Sequence, residues 1–563
     1  MASGSKEDVQ VIQDGASTPE LHDLEKAPAN VQMRPMTDVE ILQRSWSKKA
    51  MIIAFAGLFA TSFVCSFVKY STKVYDAYAT SAFSKHSALT TANIVYTITS
   101  LVTYPIMAKL SNVFGRPQGF FFAIFFMTLS MVLYAACQDI GTYIAGGIFE
   151  SIGDTGFTIM QQIFIADTTS LINRGFWASL PESLALGLRH VGHYPPLRRR
   201  ALIVTMYVLQ RRATKNGFIR KSIWTGETAA LPLHKRIIRL VWIDLDIVGA
   251  VLMVIGLGLA LIPLSLTGSK NSQRWKEGST IAMLVVGIVV LCVFLVWDTR
   301  FAKTPFVPFR MIREKTVIAA CLLSLLDFFH YSTFTLFFPS YLQVVGGYSP
   351  GHASRIDNAL RVSFQIASVL VGLLMKFTKR SHMFVLIGVP LVVLGQGLQI
   401  YFVNKNGDGP ASEVCFITAK TLVGVGRAFY QTAAQVSIQA IVDREDVPVV
   451  TGVYYAAMSV GGAIGTSVGG AIWNSLLPSK LSQYLPDSTK SMAQAIYKSI
   501  AYRETQQKLA IAATAGLAPM IFIMFAMKNV DLAKAQEEKD LAEGSVHEHQ
   551  DEAAKKSCED SKP

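Results

Sequence analysis

The stretch QQIFIADTTSLINRGFWASLPES, Gln161–Ser183, decides how this chain is read. It begins as the end of a strongly apolar helix and turns polar at Asp167. Where another apolar helix is expected, it runs instead into Leu184–Arg200, a basic segment containing Pro and His.

Working outward, Tyr143–Ala166 just upstream is one of many apolar windows of about 20 residues, each long enough at 1.5 Å per residue to cross a hydrocarbon core of about 30 Å. Composition agrees: 51% of the 563 residues are hydrophobic and only 16% are charged, against about a quarter charged in soluble proteins. The fold class is therefore all-α, a polytopic membrane protein. A net charge of +13 is common in nucleic-acid binders, but the basic residues here sit mainly in loops between spans, where the positive-inside rule places them. Nucleic-acid binding is excluded on that ground, and the bilayer is the partner. Six cysteines, Cys65, Cys137, Cys292, Cys321, Cys415 and Cys558, form no CxxC pair and read as small apolar residues. About fifty polar residues precede a first span of full length, so no cleavable signal peptide is expected.

In order, residues 1–47 read as a disordered cytosolic tail. Residues 48–183 form an N-terminal bundle of four spans: Met51–Tyr70, Thr90–Ala108, Gly119–Ala136 and Tyr143–Ala166. Asp167–Asp244 contains no complete span, and 184–244 is a basic cytosolic segment. Residues 245–300 hold two more spans, Ile247–Leu266 and Thr280–Trp297. The C-terminal bundle, 301–530, holds six: Val317–Leu342, Asn358–Lys376, Met383–Val403, Val414–Ile441, Val449–Ile472 and Leu509–Ala526. Trp473–Lys508 is the longest outer loop, and 531–563 reads as a solvated tail. Twelve spans with both termini cytosolic is the direct count.

Ionisable residues inside spans mark the candidate pathway, because each costs about 2.5–3.5 kcal/mol to insert. Glu150 and Asp154 share a helical face at i, i+4, and should meet a cavity or a cation. Asp327 and His330, at i, i+3, suit a proton relay or a satisfied polar pair. Arg361 and Gln365 form another i, i+4 pair. In Val414–Ile441 a polar stripe runs through Lys420, Arg427, Gln431, Gln435 and Gln439, which serves either structural pairing or a substrate or ion pathway. Gly461, Gly465 and Gly469 read as a helix-packing face. The chain has no nucleotide loop, metal-spaced cluster or nucleophilic triad, so it is not expected to be an enzyme and its energy must come from a gradient.

Two sets of residues carry a resemblance. Ala108–Arg116, with Leu110, Gly115 and Arg116 matching and Ala108, Asn112 and Val113 departing, resembles the conformational-switch loop between the second and third helices of the major facilitator superfamily. Ile163–Arg174, whose signature positions are Asp167, Thr168, Thr169, Asn173 and Arg174, resembles the fourth-helix signature of its fungal siderophore iron transporters. So do Tyr341–Val345, Gly424–Phe429, and Gly461–Gly465 leading to Ala471–Pro478. The resemblance implies proton-coupled import of ferric siderophores, often hydroxamates, by a monomer at a plasma or endosomal membrane. It implies no resident cofactor, iron entering only as chelated substrate, and it makes Tyr502 and Arg503 candidates for substrate capture by the last outer loop. A fourteen-span multidrug:proton antiporter shares the extra helix pair and is the alternative. The family has fourteen spans, arranged as six, a pair and six, so two are missing here, between Ser183 and Leu209. Codons for Ala185–Pro195 can be chosen that, read two bases upstream, spell a stretch resembling the family's sixth helix. An intron or frame error that removed the fifth helix and scrambled most of the sixth is the explanation this suggests, and a transport-defective product is its consequence.

Overall fold

The computed structural model describes residues 48–73, 88–187, 245–266, 277–303, 313–405, 413–484 and 491–539, with isolated positions between 232 and 243 and at 305. The N-terminal half contains α1 (Lys48–Lys73), α2 (Ala88–Phe114), α3 (Arg116–Ala135), α4 (Ile140–Thr168) and α5 (Leu171–Gly187). Next come α6 (Ile247–Leu266) and α7 (Gly278–Val296), the latter continuing through a π-helical turn, Trp297–Phe301. The C-terminal half comprises α8 (Lys315–Thr335), the short α9 (Phe338–Val344), α10 (Pro350–Thr378), α11 (His382–Lys405), α12 (Glu413–Ile441), α13 (Val447–Tyr484) and α14 (Ser491–Ile523). Residues 532–539 form a last helix, α15. Helices are what a bilayer imposes, since backbone polar groups in lipid must bond within their own segment. Seven of these helices, among the described residues, are long and apolar enough to cross a membrane, and two shorter apolar helices, Met51–Phe63 and Ile247–Pro263, add to them. The chain is an integral membrane protein.

The two halves meet where α2 packs on α13 and α5 packs on α10. The added pair is held to this seam, because α6 lies against both α2 and α13. Within the C-terminal half, α13 runs along α8 and α12 along α10 and α11. The glycine face of α13 explains the first of these: a Cβ at Gly461 or Gly465 would strike the backbone carbonyl of Leu325 or Phe329 on α8, and one at Gly469 would lie 3.2 Å from that of Thr333. Only a residue without a side chain allows that approach. At the start of α4, Asp139 is the cap, and the hydrogen bonds from Thr142 hold its carboxyl below the ordinary value.

Each of the twelve expected spans falls on a helix, with four departures. A fifth N-terminal helix, α5, occupies Leu171–Gly187, where no span is expected; its 17 residues reach about 25 Å. It packs on α1, α4, α10 and α12. Tertiary contacts with two neighbours of the opposite half sustain a segment too short and too polar to announce itself. The expected span Val317–Leu342 is broken at Leu336 and Phe337, before a Pro in the first turn of α9. The expected outer loop Trp473–Lys508 is largely helical, since α13 continues to Tyr484 and α14 starts at Ser491. The expected solvated tail begins with α15 instead. Cys65 is buried as expected, but Cys292 is exposed on α7. The tail 1–47, most of 184–244 and residues 540–563 lie outside the described residues.

Candidate functional site

Asp327 sits near the middle of α8 and is wholly buried, and Arg427 sits at the middle of α12, 5% exposed. Arg427 Nε donates to both carboxylate oxygens at 2.9 Å, and its Nη2 donates to Oδ2 at 2.6 Å. The Tyr430 hydroxyl and the Gln431 amide, three and four residues along α12, donate to the same carboxylate. Charge-assisted bonds of this kind are about twice as strong as neutral ones, and a buried carboxylate needs all of them to offset its lost hydration. Aromatic faces complete the enclosure: the guanidinium carbon lies 4.5 Å from the ring centre of Tyr331 and 5.0 Å from that of Phe328. The Tyr331 hydroxyl in turn accepts from Arg361 Nη2 of α10 at 3.1 Å.

A second ion pair lies two turns toward the N-terminal end of α12. Lys420, its side chain 1% exposed, donates to Asp357 Oδ1 of α10 at 3.1 Å and sits 4.3 Å from the ring centre of Phe338. The polar stripe on α12 thus carries two buried cations, each matched to an acid from a different helix. Toward the C-terminal end of α12 the stripe crosses the seam: Gln435 Nε2 donates to Gln162 Oε1 of α4 at 2.9 Å, and the Tyr455 hydroxyl of α13 donates to Gln435 Oε1 at 3.2 Å. Tyr455 also stacks on Tyr104 of α2 with ring centres 5.2 Å apart. Gln439 Nε2 donates to the Thr451 hydroxyl at 2.9 Å.

Other candidates take separate partners. His330 Nε2 meets Gln396 Oε1 of α11 at 2.8 Å, so Asp327 and His330 face different helices and make no direct relay. A three-residue step turns a side chain by about 300°, which suffices to split the two between α12 and α11. Glu150 accepts from the Tyr134 hydroxyl at 2.7 Å and Asp154 from that of Tyr96 at 3.1 Å, so phenols of α3 and α2 receive them where a cavity or cation is expected. Arg361 bonds Tyr331, and the backbone carbonyl of Gln365 accepts from the Ser183 hydroxyl of α5 across the seam at 2.9 Å. Tyr502 and Arg503 lie on helix α14. Tyr502 packs edge-on to Trp473, ring centres 5.2 Å apart, and Trp473 stacks on Phe337 at 4.3 Å. Arg503 Nε is buried without a hydrogen-bond partner among the described residues.

At the end of the bundle where α2 turns into α3, the two sequence motifs join. Gly115, with φ 97° in the left-handed region that favours glycine, turns α2 into α3. Arg116 Nε then donates to Asp167 Oδ2 at 2.7 Å, and its Nη1 to the Ser111 carbonyl at 2.8 Å. Asn112 lies in α2, with its side chain outside the described residues. Thr168 and Thr169 bond back to the carbonyls of Phe164 and Ile165 at 2.7 and 2.6 Å, and Asn173 Nδ2 donates to Ser170 Oγ at 2.9 Å. Arg174 Nη2 donates to the Ala166 carbonyl at 2.8 Å, closing the α4–α5 turn. The signature is therefore a turn-former and an ion-pair partner. Asp357, Tyr331, Tyr430, Gln162, Gln396 and Tyr455 were not singled out from the sequence. Asp357 alone left a signal there, as an acid four residues before Arg361.

Comparisons with known proteins agree with this architecture. A family model described as Major Facilitator Superfamily matches residues 199–466. The MFS siderochrome iron transporter C of Aspergillus fumigatus is 32% identical over 545 residues, 89% of this chain and 87% of that one. The siderophore iron transporter mirC of Emericella nidulans is 30% identical over 556 residues, 90% of this chain and 89% of that one. Siderophore iron transporter 1 of Schizosaccharomyces pombe is 27% identical over 534 residues, 86% and 83%. Among solved structures, the human organic anion transporter MFSD10 gives a TM-score of 0.43 at 12% identity, covering 85% of this chain and 98% of that one.

Proposed function

The chain belongs to the siderophore iron transporters of the major facilitator superfamily, and we propose that it imports ferric siderophore chelates, hydroxamates above all, together with protons. It acts as a monomer at a plasma or endosomal membrane, with both termini cytosolic and no resident cofactor. The observation that carries this reading is the Asp327 carboxylate, enclosed by Arg427, Tyr430 and Gln431 at the middle of the C-terminal half.

Arg427 stays charged at all working pH, and Asp327 is the acid that faces it. While Asp327 is ionised it holds the guanidinium and the Gln431 amide. A proton on Asp327 removes the anion and weakens every charge-assisted bond to it, leaving Arg427 and Gln431 as donors for the oxygen-rich surface of a hydroxamate chelate. Proton and chelate then favour each other's binding by the same factor, as linkage requires. Deprotonation on the cytosolic side returns Arg427 to Asp327 and expels the chelate. One charge moving through 100 mV supplies about 2.3 kcal/mol to this cycle. The seam contacts of Gln162 with Gln435 and of Tyr104 with Tyr455 lie on the cytosolic side of the pair, where alternating access needs a barrier.

The test is uptake of a radiolabelled ferric ferrichrome-type chelate by a host lacking its own siderophore carriers, at several external pH values. It is run with this chain and with a version in which two N-terminal helices are restored. The expected outcome is saturable uptake that rises as the medium is acidified and loses that pH dependence in Asp327→Asn. Unchanged uptake and unchanged pH dependence in Asp327→Asn would refute the assignment. Uptake by the restored version alone would show that the chain as it stands is transport-defective, and efflux of lipophilic cations in place of uptake would favour drug antiport.

A further inference from the structure

Helix α15 is short and rich in charge, yet it has a buried face. Leu532, Ala535, Gln536 and Lys539 recur at i, i+3, i+4 and i+7 and are buried or half-buried, while Lys534, Glu537 and Glu538 are exposed. That spacing defines one side of a helix laid on a surface.

Its contacts define the surface. The backbone N–H of Leu532, a wholly buried residue, donates to the Lys379 carbonyl at 2.9 Å, and Asp531 forms an antiparallel bridge with Arg380. Both partners lie in the cytosolic turn from α10 to α11. Lys539 Nζ donates to the Gln439 carbonyl in the last turn of α12 at 2.9 Å, where helix carbonyls lack intrahelical partners and a cation is favoured. All of these belong to the C-terminal half. Gln536 breaks the pattern: its Oε1 accepts from the backbone N–H of Leu171 at 2.8 Å, the first residue of α5 in the N-terminal half. That amide is one of the orphan donors of a helix start. Four residues further along α5 is a close backbone approach between the halves, where a Cβ on Gly372 of α10 would lie 2.5 Å from the carbonyl carbon of Gly175.

We propose that α15 is a cytosolic latch: anchored to α10–α12, it grips the start of α5 through Gln536 and must release it before the halves part on the cytosolic side. Separation of α5 from α10 and α12 carries Leu171 away from a helix fixed at Lys379 and Gln439, so the Gln536 bond cannot survive the motion. The latch depends on alternating access of the two halves and on neither the substrate nor the coupled ion. Losing one such hydrogen bond shifts the closed-to-open ratio about 2- to 12-fold toward open.

The experiment measures distances by pulsed electron resonance on the full chain in lipid nanodiscs. Spin labels are placed through Ser170→Cys and Asp443→Cys, both exposed cytosolic positions of opposite halves, in a background with the native cysteines replaced. The expected result is that Gln536→Ala raises the ratio of long-distance to short-distance populations about 2- to 12-fold, while exposed Glu537→Ala leaves it at the parent value. Gln536→Glu keeps the acceptor and adds a charge that the start of α5 favours, so it should lower that population, a reversal that mere loosening of α15 does not produce. Equal distance distributions in the parent, Gln536→Ala and Gln536→Glu would overturn the latch.

Discussion

Asp327→Asn is the perturbation that bears most directly on the centre of the site. The amide keeps the size of the carboxyl and removes its charge, so Arg427 stays buried at 5% exposure without an anion. One amide edge must also point an N–H toward the donors Arg427, Tyr430 and Gln431, replacing attraction with repulsion. Stranding one member of a buried pair costs about 3–5 kcal/mol. For a cooperative unit of about 500 residues the unfolding entropy is about 1 kcal/mol per kelvin, so the apparent Tm should fall by about 3–5 °C. Arg427→Met alone strands Asp327 and should lower Tm by a similar amount. The two together remove both charges and leave neither stranded, so the double variant should regain most of the loss. The assay is intrinsic-fluorescence melting of all four proteins in nanodiscs at one fixed scan rate, since unfolding of such a protein is governed by rate. A double variant whose loss equals the sum of the two single losses would refute the coupling and with it Asp327 as the counter-charge of Arg427.

The second ion pair should respond asymmetrically. Asp357 is 15% exposed and Lys420 1%, so Asp357→Asn strands the deeper charge and should destabilise by about 3 kcal/mol, whereas Lys420→Met fills the same apolar slot beside Phe334 and Phe338 for under about 1.5 kcal/mol; equal losses on melting would contradict this. At the signature turn, Asp167→Asn removes a charge-assisted bond from Arg116 and should lower stability by about 1.5–3 kcal/mol. The swap Arg116→Asp with Asp167→Arg should restore part of it, and a swap worse than either single change would show that the residues serve the turn by shape alone. Gly372→Ala forces a methyl against the backbone of α5 and should cost about 1–3 kcal/mol. In the same labelled chain it should widen the Ser170–Asp443 distance, and an unchanged distance would locate the strain elsewhere.

Much of the architecture was legible in the residues because the bilayer leaves few choices. A window such as Gly278–Val296 has no stable home except as a spanning helix, and loop cations such as Lys379 and Arg380 orient the spans around it. Charges inside spans flagged Asp327, Lys420 and Arg427 for the same reason: insertion is expensive enough that each must have a use. The glycines at 461, 465 and 469 announced a close packing face, and the backbone carbonyls of α8 are what they meet.

Partners were a different matter. Asp327 and Arg427 are 100 residues apart, and Lys420 and Asp357 63. Which acid meets which base depends on the azimuth at which whole helices pack, and no local pattern encodes that. The i, i+3 spacing of Asp327 and His330 suggested a pair that the packing of α11 and α12 divides. Helix α5 was hidden by polar residues and by Pro181, and α15 by a composition that suits solvent equally well; both exist because surfaces built from distant segments receive them. The sequence by itself determined a membrane-spanning, two-bundle transporter of known family, because hydrophobic length and a signature turn are local properties. Only the tertiary structure decided that Asp327 answers Arg427, and that Gln536 at the far end of the chain reaches back to Leu171, beside the signature turn. Those contacts arise from folding two distant parts of the chain onto one another.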